Sequence, residues 1–430
     1  MLKRVAPRAW AFVVALGILG CGSDTPSEPG VERVPVPGTL VASEKARAAP
    51  TQAPDEDFRA LIDGNTAFAV AMYRQVVPPG ENAVFSPHSL TQALGMVYAG
   101  ARGETATEMA AALHFDLPQE RLHPALNRLD LTLESRSREG QGPAKGPILR
   151  SVNGLWGQQG FSFETPFLDV LAEHHGAGLR TLDIASDPEG VRTAINGWVK
   201  GETAGLVPEL FPSRSITPDT RLLLVNTLYF KGAWKLPFKV ENTRAAPFQS
   251  IGGGTGSVEM MNTTAKFPFM AGDGFQAVAL PYVGDALRML VIVPDAGRFE
   301  EVEQRLSLDF LDTVRAQLKP GERRLGLPRF QVALGFSALA PLQSMGLRTL
   351  FTDGADLAGI SQAERLSVSS VFHRAVIIVD ELGSEAAAAT GVGVGVTSLP
   401  PETLVDRPFL FAIEDEETRS VLFLGRFVQP

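Results

Sequence analysis

The chain has 430 residues, of which 44% are apolar and 20% charged. That is the composition of a globular protein with room for one large domain or two ordinary ones. A net charge of −9 argues against a broad polyanion-binding surface, so nucleic acid is not an expected partner.

Residues 1–20 read as an export signal. Lys3, Arg4 and Arg8 form a positive start, and Trp10 to Leu19 an apolar core too short to span a bilayer comfortably. The core ends Ile18-Leu19-Gly20-Cys21, and Cys21 is the only cysteine in the chain. A lone cysteine after a signal core and a small residue resembles a bacterial lipobox. This implies lipidation of Cys21 and an exported protein anchored at the bacterial cell envelope or surface, or otherwise secreted. Stability must then come from packing without disulfides. Residues 21–57, rich in Pro, Ser, Ala and charge with no apolar period, read as a disordered tether. Residues 58–430 read as the folded domain.

From Phe58 the pattern changes. Leu61, Phe68, Met72 and Tyr73 recur at helical spacing, and further helices are expected at 105–113, 165–173 and 188–200. Arg121, Arg128, Arg136 and Arg138 read as a solvated helix face. Strands are expected at 148–158, 222–230, 277–282, 288–293, 323–332, 375–379, 409–413 and 421–428, the last two flanking a charged turn at 414–419. Gly252 to Gly256 lacks the Gly-Lys-Ser/Thr ending of a phosphate loop and reads as a hairpin turn. Helices dominate the first half and strands the second, which argues α+β.

No catalytic constellation emerges. The six histidines are His88, His114, His123, His174, His175 and His373. None belongs to a His-Glu-x-x-His pattern, and no Gly-x-Ser-x-Gly elbow is present. His174 and His175 are adjacent, so on a helix they face different ways and make a poor metal pair. Neither a metal nor a cofactor is expected.

The informative stretch follows the apolar strand 375–379. It runs Asp380-Glu381-Leu382-Gly383-Ser384-Glu385-Ala386-Ala387-Ala388-Ala389-Thr390 and leads into a Gly/Val segment, 391–396. Written as a strand, one face carries Ser384, Ala386, Ala388 and Thr390, all small and uncharged, while Glu385, Ala387 and Ala389 take the other. That is the pattern of a strand with one buried face, in a segment that also reads as an exposed loop. A segment fit for both states suggests a conformational switch.

This stretch resembles the hinge and reactive-centre loop of the serpins, a family of suicide protease inhibitors. Other segments carry the same resemblance: Asn82 to Leu90, Gly100 to Thr105, Ile195 to Val199, Thr203 to Val207, Leu224 to Trp234, Leu327 to Phe330 and Asp406 to Phe411. The resemblance implies a single serpin-like α+β domain, with helices on a large mixed central sheet, smaller sheets, and an exposed loop at about 381–403. It implies a hinge of Glu381, Gly383, Ser384, Glu385, Ala386, Ala387, Ala388, Ala389 and Thr390. It also implies a polar cluster of Ser86, Ser89, Asn226 and His373 that controls sheet opening, and an ion pair of Arg329 with Glu381 where the loop enters the sheet. Alignment on Glu381 and on Pro400-Pro401-Glu402 puts the scissile bond at Thr397–Ser398. Thr397 after Val396 suits a small apolar primary pocket, hence an elastase-like or subtilisin-like serine protease, met by a monomeric inhibitor. Leu382, where the family carries a polar residue, and the three loop glycines depart from the pattern. The alternative reading is a non-inhibitory binding or chaperone protein on the same fold.

Overall fold

The computed structural model describes residues 34–137, 147–384 and 400–430. The helical half opens with β1 (Thr39–Val41) and α1 (Asp55–Val76). Asp55, Glu56 and Asp57 in the first turn of α1 and Arg74 in its last complement the helix dipole. Then come β2 (Ala83–Phe85), α2 (Pro87–Tyr98), α3 (Gly103–Leu113), α4 (Gln119–Arg136), β3 (Ile148–Gln158), α5 (Thr165–His175), β4 (Leu179–Leu182) and α6 (Pro188–Glu202). Ser86 caps α2 by accepting from the Ser89 N–H, with Pro87 at the first turn. Every residue of α2 is buried, the polar His88 and Gln92 included, so the helix is enclosed on all sides.

The strand-rich half contains β5 (Leu222–Ala233), β6 (Arg244–Gln249), β7 (Thr255–Gly272), β8 (Phe275–Pro281) and β9 (Leu287–Pro294). After α7 (Phe299–Gln304) and α8 (Leu308–Gln317) come β10 (Lys319–Pro328), β11 (Phe330–Ser337) and α9 (Leu339–Ser344). The chain ends with β12 (Val371–Val379), β13 (Gly383–Ser384), β14 (Glu402–Leu404), β15 (Phe409–Asp415) and β16 (Val421–Phe427). Gly252 to Gly254 do form the turn of the β6–β7 hairpin, closed by the Ser250 N–H on the Gly254 carbonyl at 2.7 Å. The expected strand 323–332 is instead two strands in two sheets, parting at Arg329.

The main sheet runs β1-β4-β3-β5-β12-β11, with β13 added on β5; the second runs β14-β10-β7-β8-β9-β15-β16-β2, with β6 on β7. Alternation along β5 divides the core. Leu224, Leu228 and Phe230 face α2 and the second sheet, while Leu223 and Val225 pack with Val191, Ile195 and Trp198 of α6 on the other face. The result is the α+β architecture expected, with β5 near the centre of the main sheet and β12 between it and the edge strand β11.

Residues 34–57 correct the expectation of a tether over 21–57. β1 pairs antiparallel with β4. Arg47 bonds Asn127 at 2.9 Å and Glu134 at 3.1 Å and pairs with Asp130, all on α4. Ser43 bonds Asp169 at 2.5 Å, and the Ala48 N–H donates to Glu173 O at 2.8 Å, both on α5. Low hydrophobicity misleads here because the segment is held by backbone and charge contacts to two helices and a sheet edge. The basic face of α4 is also less solvated than expected: Arg121 pairs with Asp57, Arg128 with Asp55, and Arg136 with Asp415.

Candidate functional site

β5 and β12 are parallel neighbours, yet their ladder covers only Leu224–Asn226 against Val371–His373. One step further, Thr227 Oγ1 donates to the Arg374 carbonyl at 2.9 Å, and beyond that the ladder ends. At the far end of β5 the chain returns from β12 through a turn and lays β13 antiparallel on β5, with Gly383 opposite Ala233 and Ser384 opposite Gly232. Asp380 organises that turn, its carboxylate accepting from the Leu382 and Gly383 N–H groups at 2.9 and 3.1 Å. Gly383 is required: its φ is +145°, and a Cβ there would lie 2.0 Å from the Gly232 carbonyl oxygen. Trp234 donates its N–H to Leu382 O at 2.8 Å and its indole Nε1–H to Asp380 O at 2.9 Å.

Ser384 is 2% exposed, and its hydroxyl lies 3.0 Å from that of Tyr282. Tyr282 is buried and stacks on Trp234; burial pushes its phenol pKa up, the Ser384 bond opposing weakly. The expected hinge therefore begins in the core, on the face assigned to Ser384. Glu385, Ala386, Ala387, Ala388, Ala389, Thr390, Thr397 and Ser398 lie outside the described residues.

Arg329, at the break between β10 and β11, donates to Glu381 Oε1 at 2.5 Å, and Thr243 Oγ1 donates to the same oxygen at 2.6 Å. Glu381 is buried, which opposes ionisation, but these bonds outweigh burial and hold its pKa below the ordinary value.

Ser86, Ser89, Asn226 and His373 converge where the β5–β12 ladder stops. The Ser86 N–H donates to His373 Nε2 at 3.0 Å, so Nδ1 carries the imidazole proton and donates to Asn226 Oδ1 at 2.8 Å. Asn226 Nδ2 donates to Asn153 Oδ1 at 2.8 Å and to the Ser89 carbonyl. Ser89 thus joins through its backbone; its buried hydroxyl has no partner. Burial lowers the His373 pKa to about 3, and protonation would place an N–H against the Ser86 N–H.

Beyond the loop, β14 lies parallel to β10, with Arg324 paired to Glu402 at 2.8 Å. The chain is therefore tied to the second sheet again at residues 402–404. Sequence reasoning missed Tyr282, Trp234, Asp380 and Thr243. Asp380 before a Gly carried a turn signal. The others touch the hinge only through the tertiary fold. Among the described residues, no cluster of three or more His, Cys, Asp or Glu side chains is arranged to hold a metal ion.

A family profile described as Serpin (serine protease inhibitor) matches residues 63–430. The leukocyte elastase inhibitor of Bos taurus is 37% identical over 388 residues, covering 86% of this chain and 99% of its own. A serpin-like protein of Thermococcus kodakarensis is 34% identical, covering 86% of each chain. Uncleaved ovalbumin superposes with a TM-score of 0.77 at 27% identity, covering 86% of this chain and 100% of its own. The native thermophilic serpin tengpin shares the fold, with a TM-score of 0.79 at 24% identity, covering 91% of this chain and 100% of its own.

Proposed function

We propose that this chain, which belongs to the serpin family, traps serine proteases of elastase-like specificity as suicide complexes. The observation that carries the reading is the seating of Ser384 beside β5, at the mouth of a slot where β5 and β12 no longer pair. The protease serine attacks the Thr397 carbonyl, the Thr397–Ser398 bond breaks, and the new amine at Ser398 leaves. Thr397 remains esterified to the protease. The freed segment then continues from Ser384 into the slot as a new strand. Each backbone hydrogen bond it gains contributes roughly 1 kcal/mol net. From Ser384 to Thr397, at ~3.3 Å per residue, the protease is carried on the order of 45 Å. Distortion of its oxyanion hole, worth about 3–4 kcal/mol per donor, blocks deacylation. The inhibitor's own side chains hold and release the strand and do no bond chemistry.

The elastase preference rests on Val396-Thr397 and on the leukocyte elastase inhibitors among the relatives. Incubation with pancreatic elastase followed by denaturing electrophoresis tests the class: a covalent complex is expected, and clean cleavage without complex would favour a non-inhibitory protein. The released C-terminal fragment should begin at Ser398, and Thr397→Arg should move inhibition to trypsin-like enzymes. A fragment beginning elsewhere moves the reactive bond. We propose further that the protein is exported and anchored through lipid on Cys21, which lies outside the described residues. Its basis is the lone cysteine behind a short apolar core. Cys21→Ser should shift the protein from the membrane to the soluble fraction, and unchanged fractionation would exclude the anchor.

A further inference from the structure

We propose that the cavity walled by residues 36–47, the β3–β4 edge of the main sheet and α6 binds a small apolar molecule carrying one carboxylate or sulfonate. The cavity measures about 580 Å³, within the range of ligand sites. Its accessible apolar wall comes from Val36, Leu40 and Ala172, with Trp156 and Trp198 buried behind it. Leu40 is 52% exposed, one of four exposed large apolar side chains among the described residues. A ligand seated against it removes that surface from water.

The charge of the lining is one-sided. Lys45, Arg47 and Arg180 face the cavity and no Asp or Glu does, in a protein whose net charge is −9. Lys45 and Arg47 are already matched by carboxylates of α5 and α4 behind the wall. Arg180 is not. Its Nη1 donates to the carbonyls of Gly38 and Val36 at 2.9 and 3.3 Å, and no carboxylate among the described residues pairs with it. Its remaining donors are of the type that grips an oxyanion in a fork. Trp198, also in the lining, has a buried indole Nε1 with no partner. An apolar body on Leu40, Val36 and Ala172, with an anion on Arg180, satisfies the wall and the charge together. Because Arg180 also holds the carbonyls of residues 36 and 38, the bound molecule ties the N-terminal segment more firmly to the sheet edge.

The test is isothermal titration of the full chain with decanoate and, as neutral control, decanol, each below its aggregation concentration. Saturable one-to-one binding of decanoate is expected, about tenfold or more tighter than decanol, the scale of one charged hydrogen bond. Arg180→Gln, which keeps a donor for the Gly38 carbonyl, should erase the preference for the acid. Ala172→Phe, which fills the cavity and leaves Arg180 in place, should abolish binding of both probes. Should Arg180→Gln fail to fold, the decanol comparison and Ala172→Phe still decide. Absence of saturable decanoate binding, equal affinity for the alcohol, or full binding by Ala172→Phe would each overturn the site.

Discussion

Ser384→Arg tests whether insertion at the hinge determines the fate of the acyl-enzyme. The native side chain is 2% exposed and bonded to Tyr282 at 3.0 Å. Arginine there loses that bond, worth about 1 kcal/mol. It must also bury a guanidinium beside Tyr282 and Trp234, while the nearby carboxylate of Glu381 is occupied by Arg329 and Thr243. An unpaired buried charge costs several kcal/mol. If only about 3 kcal/mol of this appears in the barrier to insertion, the step slows roughly 150-fold, and deacylation overtakes it. The variant should be cut after Thr397 by elastase with little or no covalent complex on a denaturing gel, and its stoichiometry of inhibition should rise steeply. Ser384→Ala loses the Tyr282 bond without adding charge or bulk, so it should retain most of the complex. A Ser384→Arg protein that forms complex as efficiently as the wild type would refute both the insertion step and the role of the hinge.

Acid should unfold the protein early. Burial lowers the pKa of His88 to about 4 and those of His123 and His373 to about 3, and it lowers those of His174 and His175 as well. The folded state thus binds fewer protons than the unfolded chain below pH 6.5, so the stability these groups allow is present above that pH and is lost as pH falls toward 3–4. Each of His88 and His373 should remove about 2 kcal/mol between pH 7 and pH 5, and a urea midpoint that stays flat over that interval would disprove the assignment. Glu381→Lys places a cation against Arg329 and removes the Thr243 acceptor. It should loosen the top of the sheet and give polymers on mild heating, visible on a native gel; a variant as monomeric as the wild type would mean the pair does not guard the slot. A chain beginning at Phe58 loses β1 and Arg47 and leaves the half-buried Asp130 without its cation, a loss of about 1–3 kcal/mol with the β1 ladder bonds. Its melting temperature should fall by several degrees, and an unchanged one would show that residues 34–57 add nothing.

The expectation of a hinge rests on a segment that carries the specifications of a loop and of a strand at once. Alanines and hydroxyls permit burial on one face, Glu385 marks the other, and neither depends on what lies across the slot. Its seating was not legible. Tyr282 stands 102 positions from Ser384 in the chain, and nothing in the 277–282 strand distinguishes a tyrosine that receives a hinge from one that fills a core. The Arg329–Glu381 pair is expected from the family resemblance, but the break beside it is not: 323–332 reads as one strand, and only the demands of two sheets part it at Arg329. The segment 414–419 misled in the opposite direction. Its charges suggest a solvated turn, yet Glu414 is fully buried, held by Arg288 at 2.8 Å and Arg315 at 2.7 Å.

These failures share a cause. Hydrophobic period reports which residues leave water, whereas residues 34–57 and Glu414 are held by pairing between chain segments far apart, which composition does not record. The distinction bears on what holds the main sheet together where β5 and β12 part. In the β5–β12 slot the ladder stops at His373 and Asn226, and the bonds holding that point are polar and directional. A sheet closed by hydrophobic contact alone would resist parting in proportion to buried area. One closed by a few directional bonds at a single locus parts once those bonds are exchanged, and an incoming strand supplies the replacements. Under the proposed insertion the polar cluster suits a sheet that stays shut until the cleaved strand arrives, with His373, neutral and donating its Nδ1 proton to Asn226, as the member whose state would set whether the remaining bonds form.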